Sequence, residues 1–290
     1  MTFTTDTSIS SFGGKLLKLS HDSPVTGTKM VVNIYLPHQY FDDETTKLPV
    51  LMYLSGLTCT PDNASEKAFF QPYANQYGFA VVFPDTSPRG ANIEGEDDSW
   101  DFGTGAGFYL DATQKPWNKN YKMYSYIMKD LIPQIASSYD TLDTHKMSIC
   151  GHSMGGYGAL MFYLRNPDVF QSCSAFAPIT NPSECQWGKK SFSNYLGDDK
   201  TLWAEYDPCD LVKKFTGDKR PILIHQGTAD AFYAKDHQLQ PEKLVNASTQ
   251  SPLNGMIDLH LVDGYDHSYY FISSFVKEHC QFHAKYLGLN

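Results

Sequence analysis

Short apolar runs alternate with amphipathic segments along most of the 290-residue chain. Residues 48–55 form a continuous apolar run, and further strand-length segments rich in apolar residues recur at residues 79–83, 147–150, 172–177, 221–227 and 256–262. Such runs are typical of parallel strands that are covered on both faces. Segments with apolar residues at helical spacing lie between them, at residues 64–77, 121–139, 154–166, 240–247 and 269–287. The pattern predicts an α/β fold in which a mostly parallel central sheet carries helices on both faces.

The start of the chain departs from this alternation. Between Phe12 and Tyr35, one arm with Leu16, Leu17 and Leu19 and a second, alternating arm from Met30 predict an antiparallel hairpin at one edge of the sheet. No repeat, low-complexity tract or linker follows, so we expect one domain over residues 1–290.

Two long segments lack both patterns. Residues 85–117 form an irregular stretch rich in glycine and aromatic residues, and residues 180–219 form an aromatic-rich insertion. Long irregular loops in a compact domain are usually functional, so both are candidates for the walls of a binding site.

The composition narrows the class of protein. The net charge is −9 and no block of like charge occurs, which argues against nucleic acid or an anionic membrane as a partner. The six cysteines are scattered without a Cys-x-x-Cys pair, which is typical of a reducing compartment. With no secretory leader and no apolar run of membrane-spanning length, we expect a cytoplasmic enzyme.

The strongest chemical signal is Gly151-His152-Ser153-Met154-Gly155, which follows an apolar strand and opens a helix of small residues. Gly-x-Ser-x-Gly in that context is the nucleophile elbow, a strained turn that lifts a serine hydroxyl clear of its own backbone. A glycine-rich turn with an incidental serine is the alternative. The context favours Ser153 as a nucleophile.

A serine hydroxyl needs a base to remove its proton, and in this arrangement the acid and then the histidine follow the serine along the chain. Asp230 follows the strand that ends near Gly227, and His267 follows the last predicted strand. We therefore expect Asp230 and His267 to complete a triad. Asp230 could instead cap a helix; Asp236, expected inside a helix, and Asp266, beside the histidine, are the rival acids.

The other histidines are weaker candidates. His225 and His260 lie within predicted strands, and His152 is expected to pack beneath the elbow. His279 and His283 have the i, i+4 spacing of metal ligands, but no third ligand accompanies them. A solvated helix face is the favoured interpretation of that pair, and we expect neither a metal nor a cofactor.

The oxyanion that forms on a carbonyl needs two preorganised N–H donors. One is expected from Met154, the residue after the nucleophile, and the other from Leu57, after the strand at residues 48–55. Cys59 is close to this loop, where it could face the site or simply pack.

Four segments carry a specific resemblance: residues 54–60 (LSGLTCT), 83–90 (FPDTSPRG), 151–159 (GHSMGGYGA) and 264–271 (GYDHSYYF). Together they resemble the S-formylglutathione hydrolase (esterase D) family, which has the α/β-hydrolase fold. The resemblance implies hydrolysis of S-formylglutathione to glutathione and formate in formaldehyde detoxification, with side activity on small esters. It also implies a cytosolic homodimer without a cofactor. A general short-chain carboxylesterase or acyltransferase of the same fold, and a non-catalytic binding protein on this scaffold, are the alternatives.

A formyl group is small and glutathione is large and polar, so such a site needs a closed acyl side and an open groove. Trp100 and Phe102 in the first irregular segment and Trp187 in the second are candidates to wall that groove, with Cys59 beside it. The alternative is that these aromatic residues pack only against the sheet.

Overall fold

A computed structural model describes residues 2–42 and 45–289 of the chain. In that part of the chain, a single sheet contains nine strands: β1 (Thr4–Ser11), β2 (Gly14–Asp22), β3 (Lys29–Leu36), β4 (Leu48–Leu54), β5 (Ala80–Pro84), β6 (Leu142–His152), β7 (Phe170–Phe176), β8 (Ile222–Gly227) and β9 (Ile257–Val262). Their order across the sheet is β1-β2-β3-β5-β4-β6-β7-β8-β9.

The sheet has an antiparallel edge and a parallel body. β1, β2, β3 and β5 pair antiparallel in that order, whereas every neighbouring pair from β5 across to β9 is parallel. All residues of β4 and β5 are buried, as expected for strands that helices cover on both faces. The predicted fold class and the antiparallel hairpin are confirmed.

The edge strand β1 is the element that the apolar pattern missed. Its sequence is TTDTSISS, and most of its residues are exposed. The β-branched threonines favour a strand, but an exposed edge strand buries no face and so carries no apolar alternation. The pairing of β1 with β2 therefore could not be predicted from the pattern of hydrophobic positions.

The helices fill the connections between strands. They are α1 (Gln39–Asp42), α2 (Pro61–Lys67), α3 (Gln71–Tyr77), α4 (Met123–Ser125), α5 (Ile132–Ser138), α6 (Met154–Arg165), α7 (Gln186–Leu196), α8 (Lys200–Ala204), α9 (Pro208–Leu211), α10 (Ala231–Ala234), α11 (Pro241–Ser248) and α12 (Tyr269–Tyr286). Short 3₁₀ turns cover Trp117–Lys119, Pro182–Glu184 and Val212–Lys214. Within the described ranges, none of the helices is both long enough and apolar enough to cross a membrane.

Two predicted helices differ in detail. The helix expected at residues 64–77 is split into α2 and α3, because Phe69 adopts a positive φ of 61° between them. The helix expected at residues 121–139 contains a π-helical segment, Tyr126–Leu131, that joins α4 to α5. Pro133 lies two residues after this segment, and the wider turn before it accommodates a residue that lacks an N–H and crowds the carbonyl four positions back.

The parallel body places the candidate residues at one edge of the sheet. Leu57 follows β4, Ser153 follows β6, Asp230 follows β8 and His267 follows β9. The carboxyl ends of parallel strands lie together, so these four side chains come from loops at the same edge.

The buried face of α12 carries histidines rather than apolar residues alone. His279 and His283 are both 0% exposed, so the prediction of a solvated face for this pair is wrong. His225 Nδ1 lies 3.0 Å from His279 Nε2, and His279 Nδ1 lies 2.8 Å from Ser174 Oγ. His283 lies between two hydroxyls, 2.7 Å from Ser174 Oγ and 2.8 Å from Ser172 Oγ. This hydrogen-bonded chain ties α12 to β7 and β8.

Burial makes these imidazoles hard to protonate. It lowers the pKa of His225 to about 4 and the pKa of His283 to about 3, and it holds the pKa of His279 well below its usual range. The folded protein therefore keeps all three neutral in conditions where an exposed histidine begins to gain a proton.

The neutral histidines predict a specific acid instability. Because their folded pKa values lie below the value of about 6.5 in an unfolded chain, the unfolded state binds more protons as the pH falls through this range. The free energy of unfolding should therefore decrease from about pH 6.5 toward pH 4. His279→Gln keeps a donor and an acceptor but cannot titrate. Its free energy of unfolding should therefore decrease less steeply than that of the parent protein, by up to about 1.4 kcal/mol per pH unit. Urea unfolding at several pH values measures this slope.

A matched control comes from His145→Gln, since His145 is exposed and outside the chain of buried histidines. Its slope should equal that of the parent protein. Equal slopes in the His279 and His145 variants would show that the buried histidines do not cause the acid instability.

Candidate active site

The elbow residue Ser153 has the backbone strain that its motif predicts. Its φ is 58° and its ψ is −119°, a conformation that residues with a side chain rarely adopt. The Ser153 N–H donates to Phe176 O at 3.0 Å, and Ser153 O accepts from Ile179 N–H at 3.2 Å. These bonds hold the strained turn between β6 and α6, and the hydroxyl stands at the N-terminus of a twelve-residue helix.

Close backbone contact requires the glycines of the elbow. A Cβ atom on Gly155 would lie 2.0 Å from Leu54 O, and one on Gly151 would lie 2.2 Å from Gly155 O. Only residues without a side chain allow α6 to start this close to β4 and β6.

Asp230 and His267 are joined by a short hydrogen bond. Asp230 Oδ2 lies 2.5 Å from His267 Nδ1, and the aspartate is 0% exposed. Its other oxygen, Oδ1, accepts the Phe232 N–H at 2.9 Å and caps α10. Gln226 Nε2 donates to Oδ2 at 3.3 Å. The capping interpretation and the triad interpretation are thus compatible, because each uses a different carboxylate oxygen.

The rival acids face elsewhere. Asp236 is exposed in a bend after α10 rather than inside a helix, so its expected position is wrong. Asp266 Oδ1 accepts hydrogen bonds from the N–H and the hydroxyl of Ser268, which lower the pKa of Asp266. Among the residues that the structure describes, Asp230 is the carboxylate that binds His267.

Ser153 and His267 open onto one cavity of about 280 Å³. Its wall consists of Gly56, Leu57, Thr58, Cys59, Trp100, His152, Ser153, Trp187, Phe232, His267 and Tyr269. Within residues 2–42 and 45–289, no hydrogen bond joins the Ser153 hydroxyl to His267. Such catalytic contacts are often long without substrate and tighten when it binds.

The two candidate oxyanion donors flank Ser153. Leu57 lines the cavity, and on its loop the Thr58 and Cys59 amides donate to Gly105 O and Gly56 O at 2.9 and 3.3 Å. In the described part of the chain, the Leu57 amide has no hydrogen-bond acceptor. Met154 is the first residue of α6, where a backbone N–H has no partner within its own helix. Both amides are therefore free to bind an oxyanion.

Residues 83–90 contact the loop that contains Leu57 and Cys59. Arg89 binds the buried Asp85 through two nitrogens, at 2.7 and 2.9 Å, and donates to Cys59 O at 3.1 Å. The Thr86 hydroxyl donates to the same carbonyl at 2.5 Å. These contacts hold the loop that carries Leu57, which gives this motif a structural role.

Aromatic side chains form one wall of the cavity. Trp187 is 6% exposed and packs edge-on against Trp100 and Phe232, with ring centres 5.4 and 4.8 Å apart. Phe232 in turn packs edge-on against His267 at 5.0 Å. Trp100, 53% exposed, lies at the rim. Both predicted tryptophans therefore reach the cavity.

Phe102 does not reach the cavity. It is 7% exposed, and its ring lies 4.6 Å from Tyr195 and 4.8 Å from Trp117. Phe102 therefore packs within the core, as the alternative interpretation of these aromatic residues predicts.

Three wall residues were not expected there. The His152 ring lies on the wall, 4.3 Å from the His267 ring, rather than beneath the turn, and burial holds its pKa well below the usual range. Phe232 and Tyr269 complete the wall. Each follows a triad residue by two positions, a spacing that could have indicated both.

Cys59 is the cysteine that faces the cavity. All six cysteines are free thiols, and Cys59 is half-buried whereas the other five are buried. Its Sγ lies 3.8 Å from the Tyr269 hydroxyl, and burial raises the pKa of the thiol. As to metal sites, residues 2–42 and 45–289 contain no cluster of three or more His, Cys, Asp or Glu side chains that could hold an ion.

The raised pKa of Cys59 predicts slow but selective labelling. The thiolate is the reactive form, so a small maleimide should react slowly near neutral pH, and at pH values below the thiol pKa the rate should increase about ten-fold for each unit by which the pH is raised. Cys59 should be modified before any buried cysteine of the folded protein. Intact-mass measurement of the parent and of Cys59→Ser tests this, and rapid labelling of the Cys59→Ser variant would contradict it.

Comparisons with known proteins agree with this geometry. The esterase family model, described as "Putative esterase", matches residues 23–282. The S-formylglutathione hydrolase of Saccharomyces cerevisiae is 51% identical over 96% of each chain. That of Arabidopsis thaliana is 50% identical over 96% of this chain and 95% of its own. The solved S-formylglutathione hydrolase of Agrobacterium tumefaciens superposes with a TM-score of 0.92 at 41% identity, covering 99% of this chain and all of that one. The chain therefore belongs to the S-formylglutathione hydrolase family of esterases.

Proposed function

We propose that this chain hydrolyses S-formylglutathione to glutathione and formate with Ser153, His267 and Asp230 as its catalytic residues. The observation that carries the proposal is the 2.5 Å bond between Asp230 and His267 at the wall of the cavity that also contains Ser153. The substrate is that named for the relatives at 50% and 51% identity.

The first half-reaction transfers the formyl group to the enzyme. His267 Nε2 removes the Ser153 hydroxyl proton while Oγ attacks the formyl carbon. Asp230 holds Nδ1 and stabilises the imidazolium that forms. The Leu57 and Met154 amides bind the oxyanion. The carbon–sulfur bond then breaks, the proton passes from His267 to the sulfur, and glutathione leaves.

The second half-reaction repeats the same steps with water. His267 removes a proton from water, whose oxygen attacks the formyl-serine carbon. The carbon–oxygen bond to Ser153 breaks and the serine regains its proton from His267. Formic acid leaves the site and loses its proton to water, which gives formate. Small acyl esters can follow the same course with an alcohol as leaving group, which accounts for a side carboxylesterase activity.

We also infer that residues 1–290 form one domain and that the protein works as a cytoplasmic homodimer. Six free thiols support a reducing compartment, and the single described sheet supports one domain. The family resemblance is the support for a dimer, and sedimentation at micromolar protein concentration measures it.

The triad assignment predicts a ranked loss of activity. On S-formylglutathione, Ser153→Ala and His267→Ala should each lower kcat by more than about 10⁴-fold. Asp230→Asn should lower it by about 10³- to 10⁴-fold. Asparagine caps a helix as well as aspartate does, so this variant keeps α10 and removes only the charge beside His267. Rates of thioester loss, beside rates on an aryl acetate, provide the measurement.

Asp266→Asn is the matched control. Asp266 is next to His267 in the chain, but its carboxylate binds Ser268. We expect its rate to stay within about three-fold of the parent, the range of a small surface effect. A larger loss for Asp266→Asn than for Asp230→Asn would show that the acid is misassigned.

The aromatic wall predicts a narrow acyl preference. Because Trp187 and Phe232 close the cavity beside His267, kcat/KM for acyl esters should fall steeply from formyl and acetyl to butyryl. Overfilling a rigid pocket costs about 1–3 kcal/mol, which is about ten- to two-hundred-fold. Trp187→Ala should raise the rate on butyryl esters relative to acetyl esters by about ten-fold or more.

Trp100→Ala is the control for the preference for acyl chain length, since Trp100 lies at the rim and about half of its surface is exposed. It should leave the ratio of butyryl to acetyl rates near that of the parent. Thermal unfolding of both variants separates altered preference from lost stability. A flat chain-length profile in the parent, or an unchanged profile in Trp187→Ala, would contradict the pocket assignment.

A further inference from the structure

A positively charged side chain lies close to Tyr269, one of the wall residues of the cavity. Lys67 is the last residue of α2 and is exposed. Its Nζ lies 6.0 Å from the centre of the Tyr269 ring, and Tyr269 lines the cavity. Burial raises the pKa of Cys59, and the charge of Lys67 is among the effects that oppose this rise. Lys67 therefore lies near two wall residues.

Other cations around the cavity are already paired. Arg89 is bound by Asp85 at 2.7 Å, and Lys190 is bound by Asp101 at 2.5 Å on the Trp100 side. In the part of the chain that the structure describes, Lys67 has no carboxylate within ion-pair distance. An anion can bind Lys67 without breaking an existing ion pair.

The part of the rim at Trp100 is less favourable for an anion. Asp97 and Asp98 are both exposed and immediately precede Ser99 and Trp100. A substrate carboxylate would be repelled on that side, and Lys190 is already neutralised there by Asp101. Among the described residues, the rim near Lys67 therefore carries an unpaired positive charge, whereas the rim near Trp100 carries negative charge.

The substrate class that such a rim would favour is a thioester with an anionic leaving thiol. Glutathione is a peptide thiol with a carboxylate at each end and an ammonium group. Its sulfur is attached to the acyl carbon at Ser153, so the peptide must extend out of the cavity across the rim.

We propose that Lys67 binds a carboxylate of the leaving thiol and so makes the enzyme selective for thioesters of anionic peptide thiols. The inference rests on the function proposed above. Lys67 does not touch the reacting atoms, so it binds the ground state and the transition state equally and acts on KM rather than on kcat. A helix C-terminus also favours a lysine without any ligand, and the experiment separates that role from binding.

The test compares three substrates: S-formylglutathione, the S-formyl derivative of glutathione diethyl ester, and a neutral aryl acetate. Lys67→Met keeps most of the apolar stem and removes the charge. On S-formylglutathione it should raise KM by about three- to ten-fold, the effect of losing a partly exposed charge-assisted contact, with kcat within about two-fold. On the diester and the aryl acetate its constants should equal those of the parent. Lys67→Arg should restore the KM for S-formylglutathione.

Lys146→Met is the matched control, because Lys146 is exposed near the start of β6, away from the edge that carries the cavity. It removes the same charge from the protein and should leave every KM unchanged. Added salt should narrow the difference between the parent and Lys67→Met on S-formylglutathione, because exposed charges are screened.

Two results would overturn the inference, and they differ from a failure of the proposed function. One is an unchanged KM for S-formylglutathione in Lys67→Met. The other is an equal rise of KM on the diester or the aryl acetate, which would assign Lys67 a structural role. A parent protein that hydrolyses the aryl acetate but not S-formylglutathione would refute the proposed function itself, and the inference with it.

Discussion

The strained backbone of Ser153 is the constraint on which the site depends. A non-glycine residue at a φ of 58° and a ψ of −119° costs about 1–3 kcal/mol, so the surrounding structure must hold it. It is held by Phe176 at the end of β7, by Ile179 after it, and by the contact of Gly155 with Leu54 at the end of β4. The three strands β4, β6 and β7 are neighbours in the sheet. Their register therefore fixes both the nucleophile and the loop that offers the Leu57 amide.

Asp230 shows how one side chain satisfies a structural and a chemical requirement. Burying a carboxylate costs free energy unless its oxygens are hydrogen-bonded. Here Oδ1 accepts a hydrogen bond from the Phe232 N–H, and Oδ2 is hydrogen-bonded to His267 Nδ1 and Gln226 Nε2. A four-residue helix has little stability of its own, so the cap is what sets the direction of α10. The same cap places Phe232 against the His267 ring. The acid, the base and one wall of the cavity are thus positioned by a single turn.

Much of this arrangement could be predicted from the sequence because it depends on local patterns. Buried parallel strands are continuous apolar runs, and residues just beyond them meet at one edge, which brought Ser153, Asp230 and His267 together. What could not be predicted depends on tertiary contacts. His279 and His283 look polar in isolation, yet serines on β7 and a histidine on β8 satisfy their nitrogens inside the core. Phe69 breaks a periodic helix through one positive φ, and Phe102 packs against Tyr195, ninety-three positions away in the chain.

Substrate choice must arise outside the elements that define the fold, since one fold serves many reactions. The walls of the cavity come from the loop that contains Trp100, the insertion that contains Trp187 and the start of α12 with Tyr269. The net charge of −9 repels an anionic thioester from a distance, but that field is screened beyond about 8–10 Å at ordinary salt. Charges at the rim act within this distance and are felt by a bound substrate. If Lys67 binds the leaving thiol as proposed, the distribution of paired and unpaired cations around the cavity, rather than the net charge, selects among leaving groups.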